Sequence, residues 1–290
     1  MFHFRIEEGK YGKRFVPEEE WSPEMTKYCL FHSIRDVYLN IAFGWPGNDI
    51  SFLRDLPGLL GLKILTDRVD NLSYIECQTK LRYLSLSLLI SDRIDFALFP
   101  DIEELSLIWS PEAESVFRCT SLRQLRISRY KSVEGDLSGF SALSNLESME
   151  FKVCNIAIIG DLSCLTSLRR LKIVRGTKLA SLAGIEVLRR LRELHIETCR
   201  KITKIDPIGK LEGLERLLLP NNGEIESIKA LRGLKKLRQF LFYESTNIKD
   251  GDLTPLKDLP NLQDVAFQPR RHYNLKEEEL PSNPDLYSKE

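Results

Sequence analysis

The sequence predicts an α/β solenoid, a right-handed coil of short repeats with a parallel β-sheet along its concave side and mostly 3₁₀ or irregular segments along its convex side. Three observations predict it. Leucine supplies 47 of the 290 residues, against three methionines and four histidines, an excess that points to a repeated demand for one side chain. The pattern LxxLxL, with other apolar residues allowed, recurs with its first position at Ile34, Leu59, Leu81, Ile102, Leu122, Leu146, Leu168, Leu191, Leu214, Leu237 and Leu262, at intervals of 20 to 25 residues. Reading backwards from each anchor in steps of three adds three more apolar columns, as in Ile228, Leu231, Leu234, Leu237, Phe240 and Phe242. Of the resulting 66 positions only Gln78 and Arg93 are polar, whereas a chain that is 42% hydrophobic would fill about 28 with apolar residues by chance.

The N-terminal residues 1–24 alternate at Phe2, Phe4 and Ile6, turn through Glu-Gly-Lys-Tyr-Gly-Lys and return at Phe15 and Val16. That pattern predicts a β-hairpin laid over the first repeat as a cap. Residues 25–268 are the repeats. The closing step of two places two side chains on one face of a short strand, and the preceding steps of three suit a segment wound at three residues per turn. A unit of one strand and one return segment cannot bury its apolar edge alone, so neighbours stack. After Phe267 the composition changes, and residues 269–290 are expected to form a C-terminal cap followed by a mobile tail of about ten residues.

On these residues the chain resembles the leucine-rich-repeat superfamily, in the subclass with units of about 22 residues found in bacterial internalins and in a eukaryotic regulatory subunit of protein phosphatase 1. The resemblance spans roughly residues 25 to 267. Its best stretch is LERLLLPNNGEIESIKALRGLKKL from Leu214 to Leu237, with Leu217, Leu219, Asn222, Ile225, Ile228, Leu231 and Leu234 in pattern positions. It implies a horseshoe whose concave sheet binds other proteins, and an asparagine three residues after the last strand leucine that satisfies backbone groups of the adjoining turn. Asn222 alone fills that column with asparagine, while Cys154 and Cys199 stand in it as structural substitutes.

Bulk composition excludes several classes. With 42 basic and 42 acidic residues there is no global field to draw the chain onto nucleic acid or an anionic membrane. No apolar run reaches the ~18 residues of a membrane span, and the start lacks a signal-peptide pattern, so a cytoplasmic location is expected. The six cysteines contain no CxxC pair, which suits reduced, buried thiols.

Function is expected among the residues between the buried strand positions, which face outward from the concave sheet. The candidate partner-binding residues are Tyr38, Lys63, Tyr83, Trp109, Arg126, Lys152, Arg170, Lys172, His195, Leu218, Leu241 and Tyr243. Arg126, Lys152, Arg170, Lys172 and Arg175 make a basic patch in repeats that follow an acidic stretch at residues 92–114, and Leu218, Leu241, Tyr243 and Ala266 make an apolar one. Apolar side chains without a packing role mark interfaces, although a returning tail carrying Tyr273 and Leu275 offers an alternative cover. Glu193, His195 and Glu197 alternate on one strand face, but the neighbouring Arg170 and Lys172 oppose a cation, so no metal is expected. No cofactor or catalytic motif is found.

The expected function is therefore a non-catalytic scaffold for a protein partner, with an inhibitor or immunity protein of a bacterial toxin or enzyme as the specific form. The alternatives are a nucleic-acid or phospho-ligand binder on the basic patch, and a structural subunit of a larger assembly. A monomer is the default oligomeric state.

Overall fold

A computed structural model describes residues 2–287, which divide into two compact units on either side of the Ser128–Arg129 bond. The first begins with an antiparallel hairpin of β1 (Phe4–Gly9) and β2 (Gly12–Pro17), in which Ile6 faces Phe15. β2 then pairs in parallel with β3 (Asp36–Asn40), placing Phe15 beside Val37. Phe4 stacks on Phe15 with centroids 4.8 Å apart, and Trp21 stacks on Phe52 at 3.8 Å. The hairpin is thereby joined to the repeats by aromatic packing as well as by backbone pairing.

Between them lies α1 (Pro23–Phe31), which starts where Ser22 caps it by accepting the Met25 N–H and Pro23 supplies a pre-set φ. Three-residue spacing assigned Tyr28 and Phe31 to inward positions. The segment is instead α-helical, so a four-residue step takes Met25 and Cys29 inward while Phe31 is left 84% exposed.

β4 (Gly61–Leu65), β5 (Tyr83–Ser87), β6 (Glu104–Ile108) and β7 (Gln124–Tyr130) follow β3 in parallel, in chain order. The short α2 (Ser73–Glu76) lies between β4 and β5. The two polar exceptions in the apolar columns are accommodated differently. Gln78 is buried, donating to the Leu53 carbonyl at 2.5 Å and accepting the Leu59 N–H at 3.3 Å, whereas Arg93 turns outward and Ile94 takes its place in the core.

The second unit carries β8 (Ser148–Cys154), β9 (Arg170–Gly176), β10 (Glu193–Glu197), β11 (Arg216–Leu218), β12 (Glu224–Ile225), β13 (Gln239–Phe242), β14 (Asn247–Ile248) and β15 (Asp264–Phe267). β8, β9, β10, β11, β13 and β15 form a parallel run, while β12 and β14 make a separate small pair. Returns on the other side include the 3₁₀ segments Ile185–Val187, Asp206–Lys210, Lys229–Gly233 and Thr254–Asp258. Three-residue winding is thus the rule here, and it keeps Ile228, Leu231, Leu234 and Leu237 fully buried. Several returns open on a turn held by a side-chain oxygen: Asp136 accepts the Ser138 N–H, Ser227 that of Lys229 and Asp252 that of Thr254.

A second periodic feature lies at the strand exits. Arg129, Val153, Arg175, Thr198, Asn221 and Glu244, each seven residues after an anchor, have φ between 55° and 63°. One left-handed residue per repeat turns the chain out of the sheet, and none of the six is glycine. The next column holds the bonds that the family asparagine implies. Asn222, 1% exposed, accepts the Cys199 N–H at 2.9 Å and donates to the Ile196 carbonyl at 2.7 Å. Its own N–H goes to the Thr246 hydroxyl at 2.9 Å, and the Cys199 Sγ accepts the Gly176 N–H at 3.3 Å. Burial pushes the thiols of Cys154 and Cys199 up to about 11 and about 12, so they serve here as neutral packing and hydrogen-bonding groups.

The end of the chain is tied down further than composition suggested. Leu275 and Leu280 are buried, the Val265 N–H donates to the Pro281 carbonyl at 2.9 Å, and the Asn283 N–H donates to Asp264 at 3.0 Å. The expected mobile tail extends to residues 288–290, which lie outside the described residues.

Candidate partner-binding faces

Strand register decides which outward side chains meet. In the first unit Tyr38, Lys63, Ser85, Ser106 and Arg126 stand opposite one another on successive strands. Two of the aromatic candidates, Tyr38 and Trp109, are engaged within the chain. Tyr38 is 8% exposed, its hydroxyl accepts a bond from Asn40 at 2.8 Å, and the Lys63 ammonium lies 4.1 Å above its ring, a cation–π contact. Trp109 is half-buried against Phe117 at 5.5 Å, and Tyr83 is half-buried. Arg126 is exposed, 3.5 Å from the Gln124 side chain.

Sequence reasoning passed over Asp36, the centre of this unit's polar contacts. Fully buried, it receives Arg14 Nε at 2.7 Å, Arg14 Nη2 at 3.1 Å and the Lys10 N–H at 3.1 Å. The carboxylate holds the Arg14 guanidinium above its ordinary range through that bond. Close approach is possible because Gly9 and Gly61 flank it: a Cβ on Gly9 would lie 2.5 Å from Asp36 Oδ2. Lys10 also reaches Glu104, so the hairpin tip covers the starts of the first strands.

In the second unit Glu150, Lys172, His195, Leu218, Leu241 and Ala266 form the corresponding central row. The basic patch is interleaved with acids there. Lys172 Nζ is 3.9 Å from Glu150 Oε1, and Arg170 stands opposite Glu193. Lys152 and Arg170 are exposed and Lys172 is half-buried.

His195 is mostly enclosed, and burial, reinforced by the positive charges of Lys172 and Arg216, pushes its imidazole down to about 4. It is therefore neutral at pH 7. Glu197 Oε2 lies 3.2 Å from its Nε2 but out of hydrogen-bonding alignment. Among the described residues no group of three His, Cys, Asp or Glu side chains is arranged to hold a metal.

The apolar cluster is uneven. Leu218 retains only 9% exposure, Leu241 and Ala266 are half-buried, and Tyr243 is 37% exposed. Tyr273, the alternative cover, packs instead against the core residues Phe242 and Phe267, and its hydroxyl accepts the Ile248 N–H at 3.0 Å.

A polar ladder bounds this face on one side and was also missed from sequence. Glu193 accepts from Arg216 at 3.1 Å, Arg216 Nε donates to Gln239 at 3.2 Å, and Gln239 donates to Asp264 at 2.8 Å. Its signal was available in the column two residues after each anchor, where acceptors and donors stand at repeat spacing.

The parallel ladders, three-residue returns and side-chain ladder at the strand exits together define the leucine-rich-repeat solenoid fold. An internalin from Listeria monocytogenes has a similar structure at 21% identity, over 81% of this chain and 74% of that one, with a TM-score of 0.52. A leucine-rich-repeat protein of Leptospira interrogans is similar at 17% identity over 86% and 75% of the two chains, with a TM-score of 0.50. At these identities the likeness is one of fold. No protein-family model and no curated protein matches the sequence. Among the described residues no helix is long and apolar enough to cross a membrane.

Proposed function

We propose that this protein is a non-catalytic interaction scaffold that holds a protein partner on the open sheet face of its second unit. The observation that carries this reading is the run of Leu241, Ala266 and the 37% exposed Tyr243 on β13, β15 and the exit of β13, beside the polar ladder. Half-exposed apolar and aromatic side chains next to satisfied polar groups have the make-up of an interface core and rim. Backbone pairing on every strand of the run presets their positions, which limits the ordering cost of binding.

Its more specific form is an inhibitor or immunity protein that covers the working surface of a toxin or enzyme. A rigid sheet suits that task because it can occlude a surface without entering a pocket. Six unpaired cysteines, four of them buried, support a reducing compartment such as the cytoplasm.

Affinity capture with the native chain and with a Leu241→Asp/Tyr243→Ala variant tests the reading. A partner held by the native chain, lost at least about tenfold by the variant and cross-linked to β13 or β15, is the expected outcome. Equal retention by the variant overturns it.

A further inference from the structure

Charged side chains of the second unit are often matched between neighbouring repeats: Arg192 with Glu215, Arg216 with Glu193, Lys229 with Asp250 and Arg232 with Asp258. The exits of β7 to β10 depart from this pattern. Arg129, Lys131, Lys152, Arg175, Lys178 and Lys201 are exposed there, and among the described residues none is paired with a carboxylate. Arg200 joins them; among the described residues its side chain is bonded to the Asn221 amide oxygen at 3.2 Å and to no carboxylate.

These cations share one edge. The Asn155 N–H donates to the Tyr130 carbonyl at 3.2 Å, the Thr177 N–H to the Cys154 carbonyl at 3.2 Å, and the Gly176 N–H to Cys199 Sγ at 3.3 Å. Four exit loops are therefore locked side by side, one strand spacing of about 4.8 Å apart, over a length on the order of 15 Å. Arg129 and Arg175 belong to the left-handed column, with φ of 60° and 56°, so their backbones are held in a sparsely populated conformation. Like charges fixed this closely repel until an anion lies between them.

We propose that this edge binds an acidic segment of a protein partner, a run of about five aspartate or glutamate residues lying across the exit loops, each extended residue spanning ~3.3 Å. Two features favour a peptide over nucleic acid. The only aromatic side chain in the four loops, Tyr130, is 4% exposed, so bases find no stacking platform. Val133, 98% exposed beyond Lys131, adds an apolar contact suited to a protein segment. The edge is separate from the Leu241 and Tyr243 face and can operate whether or not that face is used.

The test uses the full chain and a fluorescent decaglutamate peptide, with binding followed by anisotropy at about 50 mM and 200 mM salt, where screening differs. The native chain is expected to bind the peptide and to weaken as salt rises. Changing Lys131, Lys152, Lys178 and Lys201 to glutamate is expected to cost at least about tenfold, since like-charge juxtaposition opposes association, with far-UV circular dichroism unchanged. The same lysines changed to glutamine lower binding in the same direction, which covers a failure of the reversal variant to fold. The Leu241→Asp/Tyr243→Ala variant is expected to bind the peptide like the native chain. No binding by the native chain, undiminished binding by both lysine variants, or tighter binding of a DNA duplex of equal charge overturns the proposal.

Discussion

Replacing Asn222 with alanine isolates the strand-exit ladder from the leucine core. The amide holds two backbone groups, the Cys199 N–H at 2.9 Å and the Ile196 carbonyl at 2.7 Å, and the residue is 1% exposed. Alanine removes both partners and leaves no polar atom to replace them. A buried backbone group stripped of its partner costs about 1–3 kcal/mol, so two together predict a loss of about 2–4 kcal/mol after local relaxation. That is a large share of the 5–15 kcal/mol typical of a folded domain.

Urea denaturation followed by far-UV circular dichroism reads the change. A slope near 3 kcal/mol/M turns a 3 kcal/mol loss into a fall of about 1 M in midpoint. Thr246→Val cuts the same chain one repeat later, because that hydroxyl accepts the Asn222 N–H and donates to the Leu219 carbonyl. The double variant is expected to lose less than the sum, as members of one network do. A loss below about 1 kcal/mol for Asn222→Ala would refute the reasoning, because it would mean that water or backbone adjustment satisfies the freed groups.

Gly184→Ala should be severely destabilising, by more than about 3 kcal/mol, and visible as a large drop in melting temperature. Its φ is +100° and an added Cβ would lie 1.9 Å from the Gly160 carbonyl oxygen. Val153→Gly should do the opposite in the same assay, raising stability by about 0.5–1 kcal/mol, since a β-branched residue at φ 63° is strained and this one is 38% exposed. His195 should lower stability on acidification. Its folded value of about 4 lies below the ordinary 6.5, so the unfolded chain binds the proton first. The effect is absent above about pH 7, grows as pH falls through 6.5, and reaches about 1–2 kcal/mol by pH 5 after allowance for partial solvent screening. His195→Gln should flatten that part of the stability profile when urea midpoints are compared at pH 7.5 and pH 5.

The structure corrected particular residues of the sequence reading, each for a local reason. Phe31 was placed inward by the three-residue step, but Ser22 and Pro23 start an α-helix whose longer turn carries Cys29 inward instead. Arg93 falls in a core column only because the step of three is carried one position too far back: Phe96, Phe99 and Ile102 keep their places, but the chain steps by two before Phe96, and Ile94 is the residue buried. Tyr38 is a candidate because its column faces outward and Trp109 because it stands at a strand end, yet Lys63 and Phe117 pack against them. Leu218 belongs to the same case. It lies between His195 and Leu241 in the central row, and only 9% of it remains accessible.

The sequence alone determined the period, the six buried columns and the strand register, because these follow from spacing and burial, which act along the chain. The row from Glu150 to Ala266 could be written down before any coordinate was known. Tertiary structure decided which outward residues are free, since that depends on neighbours 20 or more residues away: Lys63 over Tyr38, Arg14 in Asp36, Arg216 between Glu193 and Gln239. It also decided that the unmatched positive charge gathers at the strand exits, where one left-handed residue per repeat turns the chain out of the sheet. Apolar periodicity carries no information about charges paired across repeats: Lys152 and Arg175 stand out in the sequence as basic residues, but the exit loops standing side by side join them with Arg129, Lys131, Lys178, Arg200 and Lys201.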